Sequence, residues 1–251
     1  MSRGLPAADA LSSRPLAMVP NPVHIHPTAE LADRVLLPGD PGRALRLAQE
    51  LLDEPKMLNH NRGLWGYTGT AADGRLLSIQ STGMGGPSAA IVATELIELG
   101  ATRLLRIGTC GGLDRELEPG QLLIVSEAIA DDGTSQALGR HGPLARVAAP
   151  GTLTEALQSV GDQRIAAVVS ADLFYGADDR VQSWIAAGAL AVEMEAAAIF
   201  TVAARHGVEA GCALLVSNMA IGEPRYLDPE ALHTGELRLG ELALAALRIG
   251  R

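Results

Sequence analysis

Lysine and aromatic residues are scarce in this 251-residue chain, and both shortages limit what the protein can do. Of its 20 lysine and arginine residues only Lys56 is lysine, and it lies in a polar stretch typical of a solvated loop. Schiff-base chemistry and a lysine-containing phosphate loop therefore have almost no candidate residue. Aromatic residues make up 3% of the chain, so the core has to be built from Ala, Val, Leu and Ile.

Features of disulfide-rich, metal-binding and membrane proteins are also missing. The two cysteines, Cys110 and Cys212, fit no metal or redox spacing, which predicts reduced thiols and no metal site. The longest apolar stretch, residues 196–204, is too short to span a bilayer, and nothing near the start has the pattern of a secretory signal. We therefore expect a soluble cytoplasmic protein.

The chain carries a formal net charge of −9, which argues against general binding to nucleic acid or to an anionic membrane. Any anion that it binds must be held by a local cluster of basic groups. Arginine suits this task because its planar guanidinium recognises carboxylate and phosphate in a fixed geometry.

The order of apolar segments predicts one α/β domain with a mainly parallel or mixed sheet. Residues 1–22 contain four prolines and no apolar period, and we expect a mobile tail there, followed by a domain over residues 23–251. The predicted strands are 34–37, 76–80, 103–107, 121–127, 166–169, 189–192 and 211–216. The predicted helices are 41–52, 87–99, 193–206 and 229–247.

The first strand-to-helix turn has the composition of an anion site. It reads Gly39-Asp40-Pro41-Gly42-Arg43, with a glycine turn, a proline at the helix start and an arginine one turn later. The N–H groups at such a helix start attract anions. An ordinary turn with a solvated arginine has the same residues, so this motif alone leaves both interpretations open.

A second arginine is harder to explain by structure alone. Arg106 lies inside a short apolar strand, where a charged side chain must be paired or bind a ligand. Gly108 and Gly111 let the backbone approach a ligand closely, and Thr109 adds a hydroxyl. With Arg43 these residues predict a two-arginine phosphate site, and a structural ion pair is the alternative. The site requires both guanidinium groups to reach one pocket without being occupied by acidic side chains.

The turn at residues 81–88 is also rich in glycine. Gly83-x-Gly85-x-x-Ser88 approximates a dinucleotide-binding motif, which is a weak signal by itself. The acidic residue expected about twenty positions later is missing, and Pro87 intrudes on the turn. A nicotinamide-dependent enzyme is therefore the least favoured interpretation.

Side chains suited to a sugar and a planar base follow three more strands. Glu193 and Glu195 flank Met194 where an apolar strand meets an Ala-rich segment, and carboxylates accept hydrogen bonds from a sugar diol. Acidic residues in a first helical turn are the structural alternative. Phe174 can stack on a planar ligand or lie in the core. Asn218 ends the last apolar strand with an amide that donates and accepts.

These motifs occur together in a fixed order along the chain. They are Gly39-Asp40-Pro41-x-Arg43, Arg62-Gly63-x-x-Gly66-Tyr67-Thr68-Gly69, Gly83-Met84-Gly85 with Pro87-Ser88, Arg106-Ile107-Gly108-Thr109-x-Gly111, Ser170-Ala171-Asp172-x-Phe174-Tyr175, Val192-Glu193-Met194-Glu195 and Val216-Ser217-Asn218. From about Val23 onward the chain resembles the nucleoside phosphorylase family, most closely its bacterial hexameric purine nucleoside phosphorylases. The resemblance implies a single-domain three-layer α/β sandwich with a mixed central sheet, assembled as a trimer of dimers. It also implies purine nucleoside cleavage with inorganic phosphate as co-substrate and no cofactor.

The resemblance further implies three subsites. Phosphate would be held by Gly39, Arg43, Arg106, Ile107, Gly108 and Thr109, with Arg62 contributed by a neighbouring subunit. The sugar would contact Met194, Glu195 and a histidine from across the same interface, for which His24 fits best and His26 competes. The base would be surrounded by Phe174, Val192, Glu193, Ser217 and Asn218.

In the implied reaction, phosphate attacks the anomeric carbon as the glycosidic bond breaks, so the protein supplies no nucleophile. Arg106 would position phosphate, Glu195 would orient the sugar, and Asn218 would stabilise charge on the departing base. The best-known family members have Asp at this last position, with an arginine partner. Here Arg225 is too early and Ala231 occupies the nearest equivalent. Because Asn cannot protonate a base, we expect guanosine or inosine to be preferred over adenosine.

Three other functions remain open. Uridine phosphorylase is similar at Phe174-Tyr175 and Arg180, but the glutamine with which it reads the pyrimidine would align with Asp178. A nucleosidase that uses water has no need of Arg43 and Arg106. A non-catalytic nucleoside sensor would be compatible with the departure at Asn218.

Overall fold

A computed structural model describes residues 22–177 and 179–249. The predicted mobile tail lies outside the described residues except for Pro22, and so does Asp178. The strands are β1 Arg34–Pro38, β2 Leu52–Asn59, β3 Gly66–Ala71, β4 Leu76–Gln80, β5 Arg103–Gly112, β6 Leu122–Asp131, β7 Ala145–Ala148, β8 Arg164–Ala171, β9 Ala191–Glu193 and β10 Glu209–Met219. The α-helices are α1 Pro41–Leu51, α2 Gly86–Glu98, α3 Gly133–Gly139, α4 Leu153–Ser159, α5 Val181–Ala186, α6 Ala196–His206 and α7 Pro229–Arg248.

The strands form one mixed sheet. β1 lies between β4 and β5 and is parallel to both, and β3 and β2 extend the sheet beyond β4 as antiparallel strands. β5 pairs with β10 on one side and with β9 on the other, while β10, β6, β8 and β9 pair in sequence. Five strands therefore form a closed circuit, which leaves fewer free edges than an open sheet.

Helices cover the sheet on two sides. One apolar cluster contains residues of α2 and α6, such as Val92 and Phe200, and a second contains residues of α1, α4 and α7, such as Leu47, Leu157 and Leu247. The core is mostly aliphatic, as the shortage of aromatic residues predicts. The predicted three-layer α/β fold with a mixed sheet is confirmed. Among the helices of the described ranges, none is long and apolar enough to cross a membrane.

Proline and acidic caps fix where the helices begin. Pro41 starts α1, where the Asp40 carboxylate accepts a hydrogen bond from the Arg43 N–H at 2.6 Å. Pro229 starts α7, and Asp228 caps it in the same way. The cap of α1 lies directly after β1, so the first turn of this helix faces the carboxyl end of the sheet.

Each predicted strand and helix is present, but several elements were missed. These are β2, β3, β7, α3, α4 and α5. β2 was missed because residues 53–56 are polar and include Pro55, which an edge strand tolerates. Lys56 therefore lies exposed in an edge strand rather than in a loop.

The helix predicted from Glu193 begins three residues later, at Ala196. Glu193 instead ends strand β9, and its carboxylate accepts the Ala196 N–H at 3.0 Å. An acidic side chain therefore caps this helix from the preceding strand, and that is why the composition resembles a first helical turn.

A buried ion pair at the amino end of β1 generates a stability prediction. Arg34 is 0% exposed and donates to both carboxylate oxygens of Asp73, at 2.6 and 2.7 Å. These hydrogen bonds lower the pKa of Asp73 from 3.8 to about 2. A lowered carboxylate pKa contributes stability above pH 3.8 that is lost as the pH falls toward 2.

Asp73→Asn should lower the unfolding free energy at pH 7 by about 2–3 kcal/mol, and the difference from wild type should shrink as the pH falls from about 5 toward 2. Urea unfolding at a fixed protein concentration measures both effects. Glu116→Gln is the control, because Glu116 forms only an exposed pair with Arg164 and should change stability by less than about 0.5 kcal/mol. A pH-independent loss in Asp73→Asn would contradict the prediction.

Candidate active site

A cavity of about 900 Å³ opens where β1, β5 and β10 end, a size suited to a small organic ligand. It brings together most of the residues that the sequence predicts for the site. These are Gly39, Arg43, Arg106, Gly108, Thr109, Phe174, Val192, Glu193, Met194, Glu195, Ser217 and Asn218. His24, Arg62 and Ile107 do not line it.

Strand register explains why distant motifs meet here. β1, β5 and β10 are adjacent and parallel, so their carboxyl ends lie at one edge of the sheet. Leu37 is paired with Arg106, which places the turn after β1 beside the polar half of β5. Asn218 is paired with Gly111 across a bulge in β10 that follows Val216.

Arg43 reaches the cavity from the first turn of α1. It is largely buried, and its Nε donates to the Glu236 carboxylate at 2.8 Å. Glu236 lies in α7, far along the chain, and sequence reasoning did not select it. The same carboxylate accepts a hydrogen bond from Arg46 Nη2 at 2.7 Å.

Arg106 lies on the cavity wall between two carboxylates. Its Nε donates to Glu193 at 2.9 Å, and its Nη2 lies 2.5 Å from Glu195. The Nη1 of this guanidinium is buried and has no hydrogen-bond partner among the described residues. A buried polar donor of this kind requires an explanation, because leaving it unpaired is costly.

The two arginines thus share one cavity, but the expectation that neither is occupied by an acidic side chain is wrong. Arg43 is paired with Glu236, and Arg106 with Glu193 and Glu195. A buried guanidinium needs a counter-charge, and these carboxylates supply it to each arginine. Each arginine therefore forms structural ion pairs, as the alternative interpretation predicts, but with only some of its nitrogens. Arg106 Nη1 takes part in none of these pairs.

Charge in the cavity is set by this network. Burial lowers the pKa of Arg106, but Glu195 and Glu193 outweigh burial, so that the pKa is raised and the guanidinium stays charged. Burial raises the pKa of Glu195; Arg106 opposes this and Glu193 adds to it, and the net direction is upward. Glu195 is therefore a carboxylate that takes up a proton more readily than an exposed one.

Glu193 and Glu195 have different surroundings. Glu193 borders the cavity, but its carboxylate also accepts hydrogen bonds from Ser170 Oγ and from the N–H groups of Glu195 and Ala196. Glu195 uses one oxygen for Arg106 and the other for the Gly85 N–H at 2.6 Å. The glycine turn before α2 therefore holds Glu195, a task that the dinucleotide comparison did not suggest.

Other parts of the cavity wall carry the amide of Asn218 and several aromatic side chains. The Ser217 hydroxyl lies 3.0 Å from Asn218 Oδ1, an arrangement that leaves Asn218 Nδ2 as a donor. Phe174 and Tyr175 are 72% and 86% exposed and pack edge to face, with ring centroids 4.9 Å apart. Tyr226 also lines the cavity, next to Asn218 through a backbone bridge.

Trp184 is a further cavity residue that sequence reasoning missed. It lies in α5, and its Nε1 donates to Asp131 at 2.6 Å. Arg180 Nη2 donates to the other oxygen of Asp131, and Arg180 does not line the cavity. Asp131 thus fixes both residues to the end of β6. The scarcity of aromatic residues was a signal that could have directed attention to Trp184 and Tyr226.

Three predicted residues lie outside the cavity. His24 Nδ1 is 2.7 Å from Glu95, and Arg62 is exposed in a short turn with φ +56°. Their predicted role across a subunit interface stays a prediction. Ile107 is completely buried in the apolar core under the site, because successive strand residues point to opposite faces. Its side chain therefore does not contact the cavity, and its part in phosphate binding stays a prediction.

The cysteines and other possible metal ligands form no cluster in the described residues. In the part of the chain that the structure describes, no group of three or more His, Cys, Asp or Glu residues could hold a metal ion. Cys110 and Cys212 are buried free thiols, and burial raises the pKa of both.

Known proteins are similar to this chain over most of its length. A family model described as the phosphorylase superfamily matches residues 33–248. A DeoD-type purine nucleoside phosphorylase of Clostridium beijerinckii is 39% identical over 203 residues, which is 78% of this chain and 85% of the relative. One of Geobacillus kaustophilus is 36% identical over 231 residues, 89% of this chain and 96% of the relative.

The solved structure of uridine phosphorylase from Vibrio fischeri ES114 has a similar fold. Its TM-score is 0.76 at 27% sequence identity, and the similarity covers 87% of this chain and 93% of that one. The sequence relatives and this structure thus carry names for different nucleobases. On the family they agree, and the chain belongs to the nucleoside phosphorylase family.

Proposed function

We propose that the protein is a purine nucleoside phosphorylase that prefers 6-oxopurine nucleosides. It would use inorganic phosphate to cleave a ribonucleoside or deoxyribonucleoside reversibly to the free base and the pentose 1-phosphate. The observation that carries this proposal is buried Arg106: its Nη1 has no hydrogen-bond partner among the described residues, and the residue lines the same cavity as Glu195, Asn218 and several aromatic residues.

At the phosphate end, Arg106 Nη1 and Arg43 would bind the anion. Gly39, Gly108 and Thr109 line the same cavity. Charge-assisted hydrogen bonds from a guanidinium are stronger than neutral ones, and a buried unsatisfied donor gains most from such a partner. The pairing of Arg106 with Glu195 limits phosphate to the remaining N–H groups of this side chain.

At the centre, Glu195 and Met194 would contact the sugar. Phosphate attacks the anomeric carbon while the bond to the base breaks, and positive charge develops on the ribose ring. The Glu195 carboxylate, fixed by Arg106 and the Gly85 N–H, would orient the hydroxyls and stabilise that charge. No covalent bond to the protein forms.

At the base end, Asn218 would donate from Nδ2 to the 6-oxo group or a ring nitrogen, because its Oδ1 faces the Ser217 hydroxyl. Phe174 and Trp184 would pack against the purine. Asn218 has no acidic proton to give to the base. The leaving group must therefore stabilise its own negative charge in part, which 6-oxopurines do better than adenine.

Uridine cleavage is the second candidate, since uridine phosphorylases are among the similar structures. Arg180, the residue that resembles that branch, is held by Asp131 outside the cavity. Asp178, at the position of the pyrimidine-reading glutamine, lies outside the described residues. We favour purines because Arg180 is paired with Asp131 and does not line the cavity.

The site would be completed by a second subunit. Arg62 and His24 lie outside this chain's own cavity and would reach the site of a neighbouring subunit, as the family resemblance implies. A hexamer built as a trimer of dimers, acting in purine salvage in the cytoplasm, would fit such sharing.

The substrate preference can be tested with inosine, guanosine, adenosine and uridine, each with and without phosphate. We expect turnover only with phosphate, and faster turnover of inosine and guanosine than of adenosine or uridine. Faster uridine turnover would reverse the choice of base, and turnover without phosphate would indicate a nucleosidase. Tight binding without turnover would indicate a sensor.

Asn218→Asp tests the base contact within the same panel. The carboxylic acid can protonate a ring nitrogen, so the ratio of adenosine to inosine kcat/KM should rise by about tenfold or more. An unchanged ratio would argue against a base contact at Asn218.

Arg106→Gln tests the phosphate end. Loss of the buried cation should lower kcat/KM by about 10³-fold or more. Arg103→Gln is the matched control, since Arg103 is a buried arginine of the same strand that pairs with Glu209 at the other end. The control should lose stability but keep its kinetic constants within about threefold. Equal activity losses in both variants would mean that only folding is affected.

The raised pKa of Glu195 predicts a pH effect on activity. As the pH falls, the carboxylate takes up a proton above the usual range of a glutamate, and kcat/KM for the nucleoside should decline with it. Glu195→Gln should be slower by about 10²-fold or more and should lack this acid limb. Ionisation of phosphate is common to both proteins, so pH profiles of identical shape would contradict the assignment.

A further inference from the structure

Helix α7 places a buried carboxylate against the first turn of α1. Glu236 is 4% exposed and accepts hydrogen bonds from Arg43 Nε at 2.8 Å and from Arg46 Nη2 at 2.7 Å. No residue of α7 lines the cavity, so Glu236 cannot contact a ligand there. Its effect on the site has to pass through Arg43.

The contact determines which part of the Arg43 guanidinium faces the cavity. An arginine can bind an anion through Nε and one terminal nitrogen or through both terminal nitrogens. Glu236 occupies Nε, and the hydrogen bonds of the described residues leave both terminal nitrogens unused. The Arg43 backbone is also held, because its N–H donates to Asp40 at 2.6 Å. Both ends of this flexible side chain are therefore fixed.

The ion pairs of the cluster involve Arg46 as well as Arg43. One carboxylate lies between two guanidinium groups, so Glu236 is shared by Arg43 and Arg46. Arg46 Nη2 also lies 4.0 Å from the Asp40 carboxylate, so the two guanidinium groups face two carboxylates. Arg46 is partly exposed and satisfies the second oxygen of Glu236, which leaves Arg43 directed at the cavity.

We propose that Glu236 is a positioning residue for phosphate binding. It holds Arg43 at Nε, so that the terminal nitrogens of Arg43 face the anion. This inference rests on the proposed function, because it concerns the phosphate end of the same site. It adds a residue of the last helix to the determinants of phosphate affinity.

The test compares Glu236→Leu, Glu236→Gln and Arg46→Gln by steady-state kinetics, with phosphate and inosine varied separately. Glu236→Leu should raise the KM for phosphate roughly 10–100-fold, with kcat and the KM for inosine changed less than about threefold. Glu236→Gln keeps an acceptor for Nε and should recover most of this loss. Arg46→Gln leaves the Arg43 contact intact and should resemble wild type.

Thermal unfolding with inorganic phosphate gives a second readout that does not depend on turnover. Phosphate should raise the midpoint of wild type and of Arg46→Gln, and should raise that of Glu236→Leu much less. A folded Glu236→Leu protein with unchanged or lowered KM for phosphate would overturn the inference. So would an equal rise in both KM values, which a purely structural role predicts.

The wild type separates the two levels of the argument. If it cleaves nucleosides without phosphate, the proposed function fails, and this inference fails with it. If it requires phosphate while Glu236→Leu binds phosphate normally, only the role of Glu236 fails.

Discussion

The candidate site depends on one buried cation, Arg106, held between Glu193 and Glu195. Transfer of these charges out of water is costly, and the cost is offset only where each remaining lone pair and N–H finds a partner. Glu193 meets this condition through Ser170 and the start of α6, and Glu195 through the Gly85 N–H. The ion pairs thus link β5, β9, α6 and the turn before α2. Arg106 Nη1 has no hydrogen-bond partner among the described residues, and Arg106 itself lines the cavity.

This network also shows how a protein with a net charge of −9 could bind phosphate as proposed. The carboxylates next to Arg106 and Arg43 accept hydrogen bonds from some of the N–H groups of each guanidinium. These contacts fix the orientation of the N–H groups that remain. Free arginines would bind more strongly to any anion but with no defined geometry. A guanidinium that is already oriented loses less conformational entropy on binding and places phosphate in line with the sugar.

Sequence patterns predicted the strands and helices that carry apolar periodicity, and they selected Arg43, Arg106 and Asn218, which lie just after or within such segments. Two kinds of feature were not predictable in this way. Edge strand β2 is polar and contains Pro55, so it lacks an apolar period. The partners of the arginines are the other kind. Glu236 is 193 positions from Arg43, and only the packing of α7 on α1 reveals the pair.

The similar proteins are named for different nucleobases, and the structure suggests why. The proposed phosphate and sugar ends of the cavity come from strand ends and helix starts, and phosphate and sugar are common to the substrates of a nucleoside phosphorylase whatever base it cleaves. The base end is built from the segments after β8 and β10, including Phe174 and Tyr226, and from Trp184 in α5. Overall fold similarity therefore reports mainly on the shared ends. Base preference would depend on a few side chains that are positioned by their immediate neighbours. Asp131, for example, positions Arg180 and Trp184 by accepting a hydrogen bond from each. In the proposed function, Asn218, whose Oδ1 faces the Ser217 hydroxyl, would then determine which edge of the base can be bound.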